Sequence, residues 1–273
     1  MKKFVVNEEE TLKKFTDNVY PQGSFYWNAL LKKRDIRVNG VKTGKDMPVH
    51  TGDTIVYYTT PAQEAKPAFQ RVYEDENVLV VDKESGVNSE AVFSSLLQSG
   101  EYYFIHRLDR NTEGLMIFAK NASAERCLLC AFREKRMTKI YRAVCLGEFP
   151  SPKGVLTAYW TKNENSSFVT VSETDNGGEK LVTEYAVLQR EGELNFVEIR
   201  LHTGKTHQIR AHLAHVGCPV LGDMKYGDKA ANERYHLTRQ CLIAKELIPQ
   251  TDGVLSYLSG KRFLSEREWK IKR

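Results

Sequence analysis

FIHRLDRNTEGLMIFAK, residues 104 to 120, is the stretch on which the reading of this chain turns. A short apolar start (Phe104, Ile105) enters a polar turn and leaves it through Leu115-Met116-Ile117-Phe118-Ala119, a continuous apolar run of the length a buried strand requires. Asp109 stands at the crown of the turn with Arg107 and Arg110 close by. Nearby guanidinium charges favour an ionised carboxylate, which can act as a counter-charge, a nucleophile or a base. A surface salt bridge is the plain alternative, and this segment alone does not choose between them.

Outward from that turn, strand-like segments recur at 78–81, 140–145, 181–188 and 196–201. Helical patterns are fewer. One covers 123–135, with Asn121 as a cap and Cys127, Leu128, Ala131 and Phe132 on one face; another covers 206–216, with Ile209 and Leu213 at i, i+4 and Gly217 as the stop. Many strands joined mostly by turns predict an α+β fold with a largely antiparallel sheet. TTPAQEAKP, residues 59 to 67, has two prolines and no apolar period, and reads as a linker. The expected division is a small domain at 1–60, a linker at 61–68 and a large domain at 69–273. Within the small domain, residues 25–31 have helical spacing, Asn39-Gly40 signals a tight turn and 53–58 read as a strand.

The chain has 273 residues, enough to bury a sizeable core. Its longest apolar runs are far too short for a membrane-spanning helix, and its five cysteines are odd in number and scattered, which predicts a reduced, cytoplasmic protein. Forty Lys plus Arg against 35 Asp plus Glu leave a net charge of +5, weak evidence in itself. Its distribution says more. Lys32, Lys33, Arg34, Arg37, Lys42 and Lys45 fall within residues 29–45, where Asp35 is the single acid, and a second cluster holds Arg133, Lys135, Arg136, Lys139 and Arg142. Such clusters suit a polyanion, although a solvated helix face has the same composition. Other motifs fail on inspection. Gly204-Lys205-Thr206 lacks the glycine of a phosphate loop, since Ile199 stands there; Cys127 and Cys130 have no second pair and suit core packing; His202, His207, His212 and His215 have no adjacent carboxylate or cysteine to complete a metal shell.

HRLDRNTEGLMIFAK resembles the signature of the RluA-type pseudouridine synthases, HRLD followed by a Thr, a Gly and an apolar strand. Three further segments agree in order: YEDENVLVVDKESG (73–86) is similar to the family's entry strand, MTKIYRAVCLG (137–147) to its lysine-tyrosine strand, and LHTGKTHQIRAHLAHVGCPVLGDMKYG (201–227) to its longest motif. Residues 29–58, with their VNG turn and final GD-plus-strand, resemble the RNA-binding domain named after ribosomal small-subunit protein four. Three positions depart from the family pattern: Glu113 for a small serine, Glu84 for the proline after Lys83, and Ile243 for a histidine.

The resemblance implies a pseudouridine synthase fold, a central and mostly antiparallel mixed sheet, preceded by a small α/β RNA-binding domain. It implies an isomerase that flips a uridine out of structured RNA, breaks its glycosidic bond and rejoins carbon 5 of the uracil to the same sugar. By family pattern Asp109 is the catalytic carboxylate, Arg210 its partner and Tyr141 the ring stacked on the base. Whether Asp109 attacks the anomeric carbon or removes a proton from the neighbouring sugar carbon stays open. Arg107 resembles the residue that fills the space the base leaves, and His207 and Gln208 fall in the motif expected to face RNA, with Lys32, Lys33, Arg34, Arg37, Lys42 and Lys45 as further RNA contacts. The reaction is redox-neutral, so no cofactor and no metal are expected. The expected partner is RNA, ribosomal first and transfer RNA second, with no obligate protein partner. A non-catalytic assembly factor, or a glycosylase releasing free uracil, is the rival reading.

Overall fold

The computed structural model describes residues 1–162, 168–175 and 177–269; the end of the expected large domain, 270–273, lies outside the described residues. The chain opens with β1 (Lys2–Val5), β2 (Glu10–Thr11), α1 (Leu12–Val19), α2 (Pro21–Phe25), α3 (Trp27–Lys33), β3 (Ile36–Val38), β4 (Val41–Thr43), β5 (Pro48–Val49), β6 (Thr54–Tyr57) and α4 (Pro61–Glu64). Four of these strands form a sheet in the order β1-β6-β3-β4. Leu12 and Phe15 of α1, Leu30 of α3 and the inward residues Ile36, Ile55 and Tyr57 close a core beneath it. The β3–β4 hairpin turns on Asn39 and Gly40, both at positive φ (49° and 82°), which is the turn chemistry an Asn-Gly pair supplies.

The 61–64 stretch is helical rather than irregular. Thr60 and Gln63 form a reciprocal capping box around Pro61, a short-range signal that the lack of apolar period conceals. The connector is also tied down, because Tyr20 Oη bonds Glu64 and Gln22 Nε2 donates to the Lys66 carbonyl at 3.1 Å.

Beyond it come β7 (Phe69–Glu74), β8 (Val78–Lys83), α5 (Ser89–Leu97), β9 (Tyr103–Phe104), β10 (Glu113–Ala119), α6 (Ala122–Arg133), β11 (Met137–Cys145), β12 (Lys153–Lys162), β13 (Val169–Ser172), β14 (Glu179–Glu191), β15 (Leu194–Leu201), α7 (Gln208–His215), α8 (Lys229–Arg234), β16 (Leu242–Pro249) and β17 (Phe263–Leu264). Nine of the strands run in the order β13-β12-β14-β15-β11-β16-β10-β8-β7, with β17 beside β16 and β9 beside β10. The described pairs are antiparallel except β10 with β16, which run parallel through Glu113↔Ile243 and Gly114↔Ala244. The result is the α+β architecture with a mostly antiparallel mixed sheet.

The unbroken apolar runs of β8 and β10 follow from burial on both faces. Val78, Val80, Leu115 and Ile117 meet Ala124, Leu128 and Ala131 of α6 on one side. Leu79, Val81, Met116 and Phe118 meet Ala91, Val92 and Leu96 of α5 on the other. Asn121 caps α6 by accepting from Ala124 N at 2.9 Å. On the far half of the sheet Ile209 and Leu213 seat α7 against Val197 and Ile199. The Asp109 turn thus leads into a fully packed strand, and Arg210 rides on a helix clamped to the same sheet.

The opening module lies directly on this layer. α1 packs against α5, and Ser94 Oγ donates to the Asn18 carbonyl at 3.0 Å. At the other edge of the Asp109 turn, Gly114 sits at φ +110° where β10 meets β16, and a Cβ there would lie 2.4 Å from the Ala244 carbonyl oxygen. Gly114→Ala is therefore expected to destabilise the fold by about 3 kcal/mol through combined strain and overlap. Urea unfolding checks this, and a loss under about 1 kcal/mol would show that the parallel pair can open at little cost.

Candidate active site

The two strands and one helix named above converge on a cavity of 330 Å3 lined by Asp109, Tyr141, His207 and Arg210, with Phe132 and Lys139 on its wall. Its floor is fixed by backbone bonding around the Asp109 turn. Ser89 Oγ both accepts from Leu108 N and donates to Leu108 O at 2.9 Å. The buried Lys83 ammonium donates to the carbonyls of Val87 (2.8 Å), Glu84 (3.0 Å) and Arg110 (3.2 Å). Burial pushes the Lys83 pKa down to about 7 against the raising effect of Asp109 and Glu113. Thr112, whose N–H donates to the Asp109 carbonyl, is itself held by Gln240.

His106 completes the turn. Its Nε2 accepts the Ile117 N–H at 3.1 Å and its ring stacks on Phe132 with centroids 4.7 Å apart. An acceptor nitrogen is unprotonated, so the proton resides on Nδ1. Burial, reinforced by Lys139, lowers the pKa to about 3.

Arg210 joins two carboxylates. Nη1 donates to Asp109 Oδ2 at 2.8 Å, while Nε and Nη2 donate to Asp223 Oδ2 and Oδ1 at 2.7 and 2.9 Å. Burial opposes the Arg210 charge, but Asp223 and Asp109 outweigh it and hold its pKa above the ordinary value. The same contest at Asp223 ends below the usual carboxylate range. Asp223 is wholly enclosed and also accepts from the backbone of Lys225 and Tyr226, whereas the Asp109 side chain is 22% exposed and its Oδ1 accepts no hydrogen bond from the described residues. The arrangement presents one free carboxylate oxygen to the cavity.

Tyr141 reaches the same space through an irregularity. In the β11–β16 pair, Ile140 faces Glu246 but Tyr141 faces Ala244, so the register slips by one residue beside the cavity, as bulges do where a side chain must be re-aimed. Burial, with the Asp109 charge, raises the Tyr141 pKa and keeps the phenol neutral. The ring is a flat face with a hydroxyl, not a resting phenolate base.

Several sequence expectations need correction. Arg107 and Arg110 flank Asp109 in sequence, yet neither pairs with it: Arg107 reaches Glu90 at 3.0 Å from an exposed position, and Arg110 turns to Asp17 and the Ser24 carbonyl, both at 3.0 Å. Gln208 is no free RNA contact, because its amide is consumed by Val182 O, Thr183 Oγ1, Thr203 Oγ1 and Lys205 N. His207 does face the cavity, with Nε2 4.0 Å from Asp109 Oδ2 and Nδ1 3.0 Å from Tyr226 Oη. Burial lowers its pKa to about 4, and Arg210 and Lys225 add to this against Asp109. Only Cys127 of the cysteine pair packs on the core; Cys130 lies near Arg136. The second basic cluster disperses, with Arg136 on Glu134, Arg142 on Glu198 and Lys139 in the cavity. Asp223 was missed, since inside GDMKYG it reads as an ordinary turn residue.

The small module's six basic residues lie on the end of α3 and on or just after the β3–β4 hairpin. Lys32 and Lys33 end α3, Arg34 caps it and lies against Gly44, and Arg37 faces Lys42 across the β3–β4 hairpin with Lys45 just beyond. None of the six has a carboxylate at ion-pair distance among the described residues.

An aspartate bound by a buried arginine thus stands beside a tyrosine in one cleft of this sheet. The family described as RNA pseudouridylate synthase matches residues 77–215. A protein named uncharacterized RNA pseudouridine synthase from Aquifex aeolicus is 29% identical over 98% of this chain and 90% of its own length. Ribosomal large subunit pseudouridine synthase C of Vibrio cholerae is 30% identical over 73% of this chain and 71% of its own. The solved structure of human RNA pseudouridylate synthase domain containing 1 superposes with a TM-score of 0.59 at 26% identity, over 67% of this chain and 79% of that one. The chain belongs to the RNA pseudouridylate synthase family, and is an isomerase converting uridine to pseudouridine in RNA.

The neutral His106 makes stability depend on pH. Its folded pKa, about 3, lies below the unfolded value of 6.5, so its contribution is complete above about pH 6.5 and is lost as pH falls. From pH 7 to 5 that share is about 2 kcal/mol. His106→Gln keeps an acceptor for Ile117 N but cannot titrate, so its unfolding free energy is expected to fall by about that much less than wild type over the same interval; identical slopes would mean that His106 titrates normally in the fold.

Proposed function

We propose that this chain modifies uridines of large-subunit ribosomal RNA in the cytoplasm, with Asp109, Arg210 and Tyr141 as its catalytic set. The observation that carries the reading is the Arg210–Asp109 contact at 2.8 Å, which leaves Oδ1 of Asp109 open to a cavity walled by Tyr141. The names of the matched relatives support the ribosomal target.

In this reading the target nucleotide leaves its stack at a cost of a few kcal/mol and its uracil enters against Tyr141. Asp109 acts from Oδ1 on the sugar, either at the anomeric carbon or at the neighbouring carbon's proton. Arg210 pairs with that carboxylate and holds it in place, and the neutral Tyr141 hydroxyl faces the carbon 5 edge of the base. No electrons enter or leave, so the groups on the chain suffice for the isomerisation. Arg107, exposed and paired only with Glu90 among the described residues, suits insertion into the stack. Residues 1–60 serve as an RNA-binding module of the ribosomal small-subunit protein four type, offering its basic residues from Lys32 to Lys45 to phosphates, with 61–68 as connector and 69–273 as catalytic domain.

Asp109→Asn is expected to lower pseudouridine formation by on the order of 10^3 or more while RNA affinity changes little. Tritium release from uridine labelled at carbon 5 measures it, and substantial residual activity would sink the assignment. Asp223→Asn removes the counter-charge that aims Arg210 without touching substrate, so the single-turnover rate is expected to drop by about 10- to 100-fold with KM less affected. Mapping pseudouridines in total RNA with and without the gene tests the target; a loss confined to transfer RNA would replace the ribosomal assignment.

A further inference from the structure

A second cavity lies across the Asp109 turn from the first. Its volume is 470 Å3, and its walls come from both parts of the chain: Phe25, Tyr26 and Trp27 from the small module, and Gly86, Arg110 and Arg239 from the large one. Neighbouring residues of one turn divide the two spaces. Asp109 and Thr112 line the catalytic cavity, and Arg110 and Asn111 line this groove. Consecutive Cα atoms are about 3.8 Å apart, so the two spaces are close enough for neighbouring nucleotides of one RNA strand to reach both.

The charge of the groove fits that occupant. Lys13 and Arg110 share the single carboxylate of Asp17. Arg239 donates to the Ser85 carbonyl at 2.9 Å with its guanidinium over Gly86, and Lys66 Nζ lies 3.5 Å from the ring centroid of the wall residue Phe25. Neither Lys66 nor Arg239 has a carboxylate at ion-pair distance among the described residues, and the nearby Glu84 is taken by Arg267. Burial and the Arg239 charge disfavour the protonated form of Lys66, and Glu84 partly offsets them. Arg239 in the wall and Lys66 against Phe25 are cations without an ion pair, and a phosphate in the groove would supply the missing counter-charge. The groove also connects to further basic residues: α3 begins at Trp27 in its wall and ends at Lys32 and Lys33.

We propose that this inter-module groove binds the backbone phosphate of the substrate RNA nucleotide adjacent to the flipped uridine, with Lys66 and Arg239 as its contacts. The inference rests on the reading of the Asp109 cavity as the place where the uridine is held, and extends it to a strand-positioning subsite built from both modules.

The test compares wild type with the double variant Lys66→Gln/Arg239→Gln by fluorescence anisotropy, on an RNA that wild type binds and on the same RNA trimmed of the nucleotides flanking the target. For the full RNA the dissociation constant is expected to rise about 10- to 30-fold near 0.1 M salt, with the log–log salt slope shallower by about 1. For the trimmed RNA the two proteins should differ by less than about threefold, and Lys66→Arg/Arg239→Lys should restore most of the affinity, which a misfolded protein would not. Equal affinities on the full RNA, or equal weakening on both RNAs, would overturn the subsite. Binding is read without turnover, so a wild type that leaves ribosomal RNA unmodified would count against the target and not against the groove.

Discussion

A guanidinium moved from water into a pocket where its side chain is 9% exposed needs fixed counter-charges, because the interior cannot supply hydration. Arg210 has two, and they are unequal. Asp223 takes two of its nitrogens and is saturated further by backbone N–H groups, so it has nothing left for a ligand. Asp109 takes one nitrogen and keeps an oxygen free. Two carboxylates thereby acquire different settings from geometry alone: one is enclosed as a counter-charge, the other stands at the edge of a cavity with one oxygen open. The packed strand beneath Asp109 and the sheet-clamped helix beneath Arg210 then have a common purpose, which is to keep a contact between residues 101 positions apart from drifting.

The parts of this design that were legible in the sequence are those governed by local pattern. The apolar run after HRLD is a strand buried on both faces, the Asn121 cap opens α6, and Asn-Gly closes a hairpin, each by short-range chemistry. Asp109, Tyr141 and Arg210, singled out from separate segments, line one cavity. What local pattern does not contain is direction. Arg110 points away from its neighbour Asp109 because Asp17 and the Ser24 carbonyl, 93 and 86 residues distant, receive it. Asp223 acquires its meaning only once Arg210 arrives beside it. α5 was overlooked since SEAVFSSLL, pressed between a sheet and the small module, lacks a clear polar face.

The departures from family pattern at Glu84 and Glu113 have a shared physical account. Both acids lie around the buried Lys83, alongside Asp82, where three carboxylates would repel one another. Arg267, from the C-terminal stretch, gathers them: it bonds Asp82, reaches Glu84 at 2.6 Å and approaches Glu113 at 3.7 Å, while Trp269 Nε1 donates to Glu113 at 3.2 Å. A proline and a serine at these positions would leave Arg267 with less to hold. The two substitutions and the C-terminal residues thus form one electrostatic knot, and it braces the strand ends from which the Asp109 turn departs.

The same logic changes how the small module is understood. Sequence composition suggests a detachable RNA grip on a linker, but the connector is capped, bonded to Tyr20 and Gln22, and short. More decisively, the module supplies the carboxylate and carbonyl that hold Arg110. Without them a guanidinium one residue from Asp109 would lose its partners and gain reason to turn toward the nearest anion, in competition with Arg210 for the carboxylate that must stay available. Docking of the module is therefore part of the electrostatic definition of the site, because α1 and α2 supply the partners of the residue beside Asp109.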